Sequence, residues 1–145
     1  MDEALPAGHA PGHRARALTV REPQVMDDVA DDDYCYLTTT GRVSGRPHEI
    51  EIWFALEGSQ LYLLAGGREE SDWVRNLVAD PQVSVRLRDQ VRLGRARTIT
   101  APADDPELDR HARTLLFEKY EPRNPGLASW RESSLPVVVE LDPLV

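Results

Sequence analysis

The segment Leu37–Leu56 reads LTTTGRVSGRPHEIEIWFAL and places a glycine- and arginine-rich corner between two strand-like runs. The β-branched threonines before the corner favour a strand. After the corner, residues 48–56 alternate apolar and charged side chains, which predicts one half-buried strand with Ile50 and Phe54 on its apolar face. The corner itself, Gly41–Pro47, contains two glycines, a serine and two arginines. The segment therefore predicts two antiparallel strands joined by a corner of unusual composition.

Further strand patterns follow along the chain, and short turns join most of them. They are LYLLA at 61–65, VSVRL at 83–87, QVRLGRARTIT at 90–100 with a bend expected at Gly94, and LPVVVEL at 135–141. Helices are predicted where Ser71 caps SDWVRNLVAD and where Asp105–Pro106 opens a helical period that ends near Tyr120. About six antiparallel strands and two or three helices predict a mainly β fold, a small barrel with peripheral helices.

Composition narrows the class of protein. The chain has 145 residues, which favours one domain, and its net charge of -8 argues against nucleic acid or an anionic membrane as the main partner. No apolar run approaches about 18 residues, so no membrane span is expected. The lone cysteine, Cys35, excludes an intrachain disulfide, fits a cytoplasmic protein and is interpreted as a buried, inert thiol.

The domain boundaries follow from the same composition. Residues 1–20 are rich in alanine, glycine and proline and are predicted to form a disordered N-terminal tail, which leaves residues 21–145 as the folded domain. A short strand or helix is expected around Val25–Val29. The four histidines show no metal-ligand spacing, so no metal is expected.

The run TTTGRVSGRP at 38–47 concentrates groups that bind anions. Glycines let backbone N–H groups approach a phosphate, hydroxyls donate hydrogen bonds, and arginine adds a charged fork. The run matches neither the Walker pattern nor GxGxxG. On this chemistry alone, a hairpin loop with solvated arginines is an equally good interpretation.

Weaker signals accompany the corner. The run LAGGREESDWVRN at 64–76 carries a glycine pair into a helix start, which favours an anion or a flat ligand, although a turn that needs positive φ gives the same pattern. Five arginines between 86 and 97 either meet an anionic ligand or, as we favour, pair with surface carboxylates. Tyr120 and Trp130 either wall a planar substrate or pack in the core. Few side chains suit acid–base catalysis, so an enzyme here needs a cofactor.

Three runs together resemble the deazaflavin-dependent nitroreductase family. They are YLTTTGRVSGRPHEIEIWFALEGSQLYLLAGG, the later DWVRNLVADPQVSVRL and the closing PVVVEL. That family lies within the split β-barrel group, which includes pyridoxamine-phosphate-oxidase-like flavin proteins. The resemblance implies a split β-barrel over residues 21–145, usually a homodimer, that binds the deazaflavin coenzyme F420.

The resemblance also implies which residues bind the coenzyme. The corner would line its phosphate and tail, the end of the third predicted strand would lie against its ring system, and the first helix would border the same groove. These residues are Thr40, Gly41, Arg42, Ser44, Gly45, Arg46, Pro47, His48, Ala65, Gly66, Gly67, Trp73 and Asn76. The chain departs from the family at Val43 and His48, where basic residues are frequent, and at Ala65, where a serine and a basic residue are frequent. Weaker coenzyme binding, or FMN in place of F420, is therefore an alternative.

By the same resemblance, reduced F420 would give a hydride to a small electron-poor acceptor such as a quinone, an enone or a nitroaromatic compound. The protein would align the two, and Tyr120 or a water would protonate the product. Two alternatives stay open: an FMN-dependent oxidoreductase on the same barrel, and a non-catalytic carrier of a coenzyme or hydrophobic ligand. Heme binding ranks last, because no histidine lies in a predicted pocket strand. The expected partners are the acceptor and a second copy of the chain.

Overall fold

The computed structural model describes residues 29–100 and 105–143. The chain divides into two compact units, residues 1–32 and 33–145. In the first unit, residues 29 and 30 are helical and residue 31 forms a turn, where the backbone N–H of Asp32 donates to the carbonyl of Val29 at 3.1 Å. The tail predicted over residues 1–20, and most of the element expected around Val25–Val29, lie outside the described residues.

The second unit is built on one curled antiparallel sheet with peripheral helices, which confirms the mainly β fold and its split-barrel form. Seven strands are described: β1 Cys35–Thr40, β2 Pro47–Ile52, β3 Ala55–Glu57, β4 Gln60–Ala65, β5 Gln82–Leu87, β6 Gln90–Thr98 and β7 Leu135–Leu141. The helices are α1 Asp72–Ala79, α2 Pro106–Tyr120 and α3 Ala128–Ser133, with a 3₁₀ turn at Arg68–Glu70. The strand order is β2-β1-β5-β6-β7-β4-β3.

The two edge strands of the sheet, β2 and β3, are consecutive in the chain. Trp53 and Phe54 alone separate them, and an extended chain spans at most about 3.6 Å per residue. The opposite edges of the sheet must therefore lie close together, which forces the sheet to curl. Phe54 is fully buried at this link, its backbone N–H donates to the Tyr120 hydroxyl at 3.0 Å, and its carbonyl accepts from Lys119 Nζ at 2.9 Å.

This link corrects the strand predicted over residues 48–56. The alternation predicted a continuous strand, but β2 ends at Ile52, and Phe54 and Ala55 are both buried. The bonds that Tyr120 and Lys119 make to Phe54 take the place of ladder hydrogen bonds, and local periodicity does not encode such tertiary contacts. The described sheet therefore has seven strands where about six were predicted. Helix α3 forms between the helix predicted to end near Tyr120 and the strand predicted at 135–141, in a segment where no helix was predicted.

Alternate residues of the strands fill the interior of the barrel. In β1 the buried side chains are Cys35, Leu37 and Thr39, and the residues between them are half-exposed. Helix α2 packs across β4 and β7 through a second apolar cluster that includes Leu116 and Tyr120. Helix α1 contacts β1 and β6 and contributes its buried side chains to the core. The second unit thus places α1 beside the corner that joins β1 to β2.

Burial makes Cys35 an inert thiol, as the sequence predicted. Its side chain is fully buried, and desolvation raises its pKa to about 12, although the charge of Lys119 opposes the shift. The thiolate is the reactive form, so the native protein should show no labelling by an aromatic disulfide reagent at about pH 8. Denaturation should release one reactive thiol per chain. Stoichiometric labelling under native conditions would contradict this packing, and a Cys35→Ala variant provides the blank.

Candidate functional site

The corner between β1 and β2 is a compact, hydrogen-bonded loop. The backbone N–H of Gly41 donates to the carbonyl of Arg46, and that of Gly45 donates to the carbonyl of Gly41, both at 2.8 Å. Gly45 has φ +76°, which favours glycine. A Cβ at Gly41 would lie 2.7 Å from His48 Nε2 and 2.8 Å from Ser44 Oγ. The loop therefore folds the His48 and Ser44 side chains over Gly41, where a side chain would not fit.

A buried amide ties the corner to helix α1. Asn76 is 4% exposed, and its Oδ1 accepts hydrogen bonds from the backbone N–H of Arg42 at 3.2 Å and from Arg42 Nη1 at 2.8 Å. Its Nδ2 donates to Thr39 Oγ1 at 3.1 Å. Arg42 also forms an ion pair with Asp72 at the start of α1, at 3.2 Å. The sequence analysis missed Thr39, although its place in the inward alternation of β1 could have indicated it.

The second arginine of the corner behaves differently. Arg46 is exposed, and within residues 29–100 and 105–143 its guanidinium makes neither a hydrogen bond nor an ion pair. Its backbone N–H donates to Ser44 Oγ at 3.1 Å. At the base of the loop, Thr40 and Pro47 are directly opposed in the β1–β2 ladder. The corner thus presents one uncommitted cation on a chain whose net charge is -8.

The glycine pair follows β4 and reaches the start of α1. Gly66 and Gly67 are exposed, and a Cβ at Gly67 would lie 2.5 Å from Ser71 Oγ, so the turn closes tightly on the helix cap. Ala65 is buried with its side chain in an apolar cluster, and Trp73 packs against that cluster. The structure therefore brings the glycine pair and the corner to the same end of α1, while Ala65 and Trp73 serve in packing.

Aromatic side chains border the glycine pair. Trp130 on α3 has its Cδ1 3.9 Å from the position of a Cβ at Gly66. Trp130 meets Trp53 edge to face at 5.4 Å, and Trp53 stacks on Tyr120 with ring centroids 4.3 Å apart and planes 4° apart. Such geometries are favourable for aromatic pairs. Trp130 is only half-buried, so it forms a flat apolar wall beside Gly66.

Tyr120 lies in the core. Its hydroxyl accepts from the backbone N–H of Phe54 at 3.0 Å and lies within hydrogen-bond distance of the carbonyls of Asp33, at 2.7 Å, and Phe54, at 3.1 Å. Burial raises the pKa of this phenol far above its ordinary value. The hydroxyl is thus committed to backbone groups at the β2–β3 link.

The arginine series between 86 and 97 is dispersed. Arg86 pairs with Glu49 at 3.3 Å and lies over the ring of Tyr36, which matches the expected pairing with surface carboxylates. Arg92 is 7% exposed and donates to the carbonyl of Asp142 at 2.7 Å. These two arginines therefore do not add to the positive charge of the corner.

Three further features of the described residues bear on the site. Among the described residues, no group of three or more His, Cys, Asp or Glu side chains could hold a metal ion. No helix in the same part of the chain is long and apolar enough to cross a membrane. A surface cavity of about 640 Å³ lies at the start of α2, where Arg97, Asp105 and His111 contribute to its lining. None of the predicted coenzyme-binding residues lines that cavity.

Comparison with known proteins identifies the family. Residues 13–142 match the model of the F420H(2)-dependent quinone reductase family, so the chain belongs to that family. The protein is accordingly an F420-dependent oxidoreductase, which agrees with the cofactor expected from the sequence.

Solved structures support the fold. An F420-H2 dependent reductase shares 25% identity at a TM-score of 0.60, covering 74% of this chain and 94% of its own. A heme storage protein from Vibrio cholerae shares 16% identity at a TM-score of 0.66, covering 85% and 91%. A protein described as a domain-swapped dimer shares 23% identity at a TM-score of 0.58, covering 90% and 100%. The last two show the fold alone.

The residues around α1 fit an anionic, planar coenzyme. Arg46 offers a guanidinium that no described residue engages, and the N-terminus of α1 adds a favourable dipole for an anion. Gly66 exposes backbone without a side chain beside the flat wall of Trp130. Cationic, dipolar and planar surfaces are thus available within one region of the second unit.

The geometry of Tyr120 predicts a structural role that a conservative variant can test. Tyr120→Phe leaves the backbone groups of Phe54 and Asp33 without their partner, so the free energy of unfolding should fall by about 1–3 kcal/mol. Burial raises the pKa of Tyr120 above the 10.0 of a tyrosine in the unfolded chain. The contribution of neutral Tyr120 to the free energy of unfolding is therefore complete below pH 10.0 and is lost as the pH rises above that value. Denaturant titrations at about pH 8 and about pH 10.5 should therefore show a smaller pH effect in the variant.

The matched control is Tyr62→Phe, because among the described residues the Tyr62 hydroxyl donates only to the Gln60 side chain, at 2.9 Å. Its stability should change by less than about 1.5 kcal/mol. A Tyr120→Phe enzyme of unchanged stability with kcat reduced by about 10²-fold would instead identify Tyr120 as the proton donor.

Proposed function

We propose that the protein transfers a hydride from reduced F420 to a small electron-poor acceptor, with quinones first and enones and nitroaromatic compounds next. The observation that carries this proposal is that the corner, which carries Arg46, is bound through Arg42 to the start of α1, where the exposed Gly66–Gly67 pair also closes on the helix cap, in a chain of this family. Anion recognition and a planar surface occur together there, as a deazaflavin with an acidic tail requires.

The chain's own residues then act by binding and alignment. The Arg46 guanidinium binds the anionic part of the coenzyme, and the glycine pair admits its ring system. Trp130 offers an aromatic wall on which a planar acceptor can stack. When bound, the reduced coenzyme supplies the hydride. Alignment of donor and acceptor accounts for most of the rate, and solvent water delivers the proton because the Tyr120 hydroxyl is committed to the backbone.

Binding and turnover test this function directly. Titration of the purified protein with oxidised F420, followed by coenzyme fluorescence, should give a dissociation constant of about 1 μM or lower, typical of a cofactor site. A quinone should then reoxidise reduced F420 only when the protein is present. FMN titrated in parallel should bind at least about tenfold more weakly. Preferential FMN binding would select the flavin alternative, and F420 binding without turnover of any acceptor class would select a carrier.

We also propose that a second copy of the chain covers the outer face of β1, β5 and β6. Val91 and Leu93 point outward from β6 and are 59% and 54% exposed, an unusual apolar pair on a sheet. The ladder sets Val91 opposite Arg86, which is opposite Tyr36. This outward strip of the sheet is called the β6 face below.

Charge complementarity supports a two-fold contact through the β6 face. Glu49 and Arg97 already form ion pairs with Arg86 and Asp105, so Glu51 on β2 supplies the acidic rim on one side and Arg95 on β6 supplies the basic rim on the other. In a symmetric dimer, each rim can meet the opposite rim of the second copy.

The cytoplasmic location expected from the sequence stays a prediction.

Substitution of the β6 face tests the dimer. The wild-type chain should sediment as a dimer, and the double variant Val91→Glu, Leu93→Glu should sediment as a folded monomer because it buries four carboxylates in a symmetric interface. Val78→Glu is the control, since Val78 is 64% exposed on α1 and should leave the dimer intact. A monomeric wild-type chain, or a dimer that survives the double substitution, would refute this interface.

A further inference from the structure

We propose that Asn76 is a positioning residue that reserves Arg42 for the protein and thereby leaves Arg46 as the arginine that binds the coenzyme's anionic group. The inference rests on the proposed function and divides the work of two arginines that the sequence analysis treated alike. Asn76, on α1, would thereby affect coenzyme binding by holding the corner loop in place and not by contacting the ligand.

The polar groups of Arg42 are already engaged in hydrogen bonds to other residues of the protein. Its backbone N–H and Nη1 both donate to Asn76 Oδ1, so one oxygen holds two points of the same residue. Its Nη1 also lies 3.4 Å from the carbonyl of Asp72, and its Nη2 lies 3.2 Å from Asp72 Oδ1. A ligand that recruited the Arg42 guanidinium would have to break these bonds and leave the buried Asn76 amide short of donors.

The second step concerns the amide itself. Asn76 is buried, and its two ends reach different elements: Oδ1 holds the corner, and Nδ2 donates to Thr39 Oγ1 in β1. A buried amide whose donors and acceptor are engaged fixes its neighbours, because any shift leaves a polar group unpaired. Asn76 therefore sets the direction in which the loop leaves β1, and with it the place of Arg46.

The third step is the charge that remains. The Arg42–Asp72 ion pair cancels one positive charge against one negative charge at the start of α1. The positive charge of Arg46 is not balanced by a carboxylate, since no described residue pairs with it. Of the two arginines of the corner, Arg46 is then the one whose charge attracts an anion, and Arg42 contributes little beyond its structural bonds.

The salt dependence of F420 affinity distinguishes the two arginines. At about 50 mM NaCl, Arg46→Gln should weaken binding by about 10- to 100-fold, and its affinity should change little on going to about 500 mM, because the screened contact is gone. Arg42→Gln should lower the melting temperature and weaken binding, while the remaining affinity keeps the salt dependence of the wild type. The opposite pattern, in which Arg42→Gln flattens the salt dependence and Arg46→Gln preserves it, would overturn the proposal.

Variants of Asn76 test the positioning role. Asn76→Leu should raise the KM for the coenzyme about tenfold with the KM for the quinone unchanged, because the loop and not the acceptor wall is displaced. Asn76→Asp keeps the oxygen that accepts from Arg42 and should restore affinity to within about threefold of wild type. Equal losses in both variants would refute the role of this oxygen.

A measurement without ligand separates failure of this inference from failure of the proposed function. Hydrogen exchange at the amides of Gly41 and Gly45 should accelerate in Asn76→Leu and in Asn76→Asp by different amounts, with the aspartate closer to wild type. Thr39→Val removes only the bond to Asn76 Nδ2 and should have a smaller effect. If these amides exchange at the wild-type rate in Asn76→Leu, the positioning role of Asn76 is refuted whether or not F420 binds. If they exchange faster while the wild-type chain binds no F420, the positioning role stands and the proposed function is refuted.

Discussion

The hydrogen bonds between the Tyr120 hydroxyl and the backbone of Phe54 hold the structure at its point of closure. β2 and β3 occupy opposite edges of the sheet, yet the chain passes between them in two residues. A link this short is possible only if the sheet curls. The backbone of Phe54, which lies in the link, therefore takes no part in a regular ladder of hydrogen bonds between strands. The buried phenol, with Lys119 beside it, supplies the partners that the ladder lacks. Helix α2 is thereby fixed across β4 and β7, and the position of the glycine pair follows from that packing.

Much of the fold could be predicted from local pattern. The strands β4 to β7 and the helices α1 and α2 lie near the runs that predicted them, because alternation, capping and proline placement act over a few residues. The break at Trp53–Phe54 could not be predicted, since the alternation of residues 48–56 continues through it and the competing partners lie 66 residues away in sequence at Tyr120. Helix α3 was missed for a related reason: its short sequence is held in place by tertiary contacts more than by its own propensity.

The candidate site shows the same division between local and distant information. Composition correctly marked the corner as a place where arginines and glycines gather, and the glycine pair as a second such place. It could not say that Arg42 turns inward to Asn76 while the Arg46 guanidinium engages no described side chain, because each arginine simply follows a glycine and the partner of Arg42 lies 34 residues further along the chain. Ala65 was selected by resemblance to a family, and Tyr120 was selected as the proton donor for the reaction that the resemblance implies. Both are buried, Ala65 at the end of β4 and Tyr120 at the end of α2, and the sequence alone left that burial open.

The two-residue link between β2 and β3 also has a consequence for the order of folding. Strands that are neighbours in the chain usually pair with each other, so closing a barrel ordinarily requires contacts between distant segments. Here the link that closes the barrel is local in sequence, and the distant contacts are the pairings of β1 with β5, β6 with β7 and β4 with β7, the last of which joins Gln60 to Glu140. The loop-closure entropy of this chain therefore falls on three ladders, of which β4–β7 spans the longest stretch of sequence, while the link between β2 and β3 adds little to it.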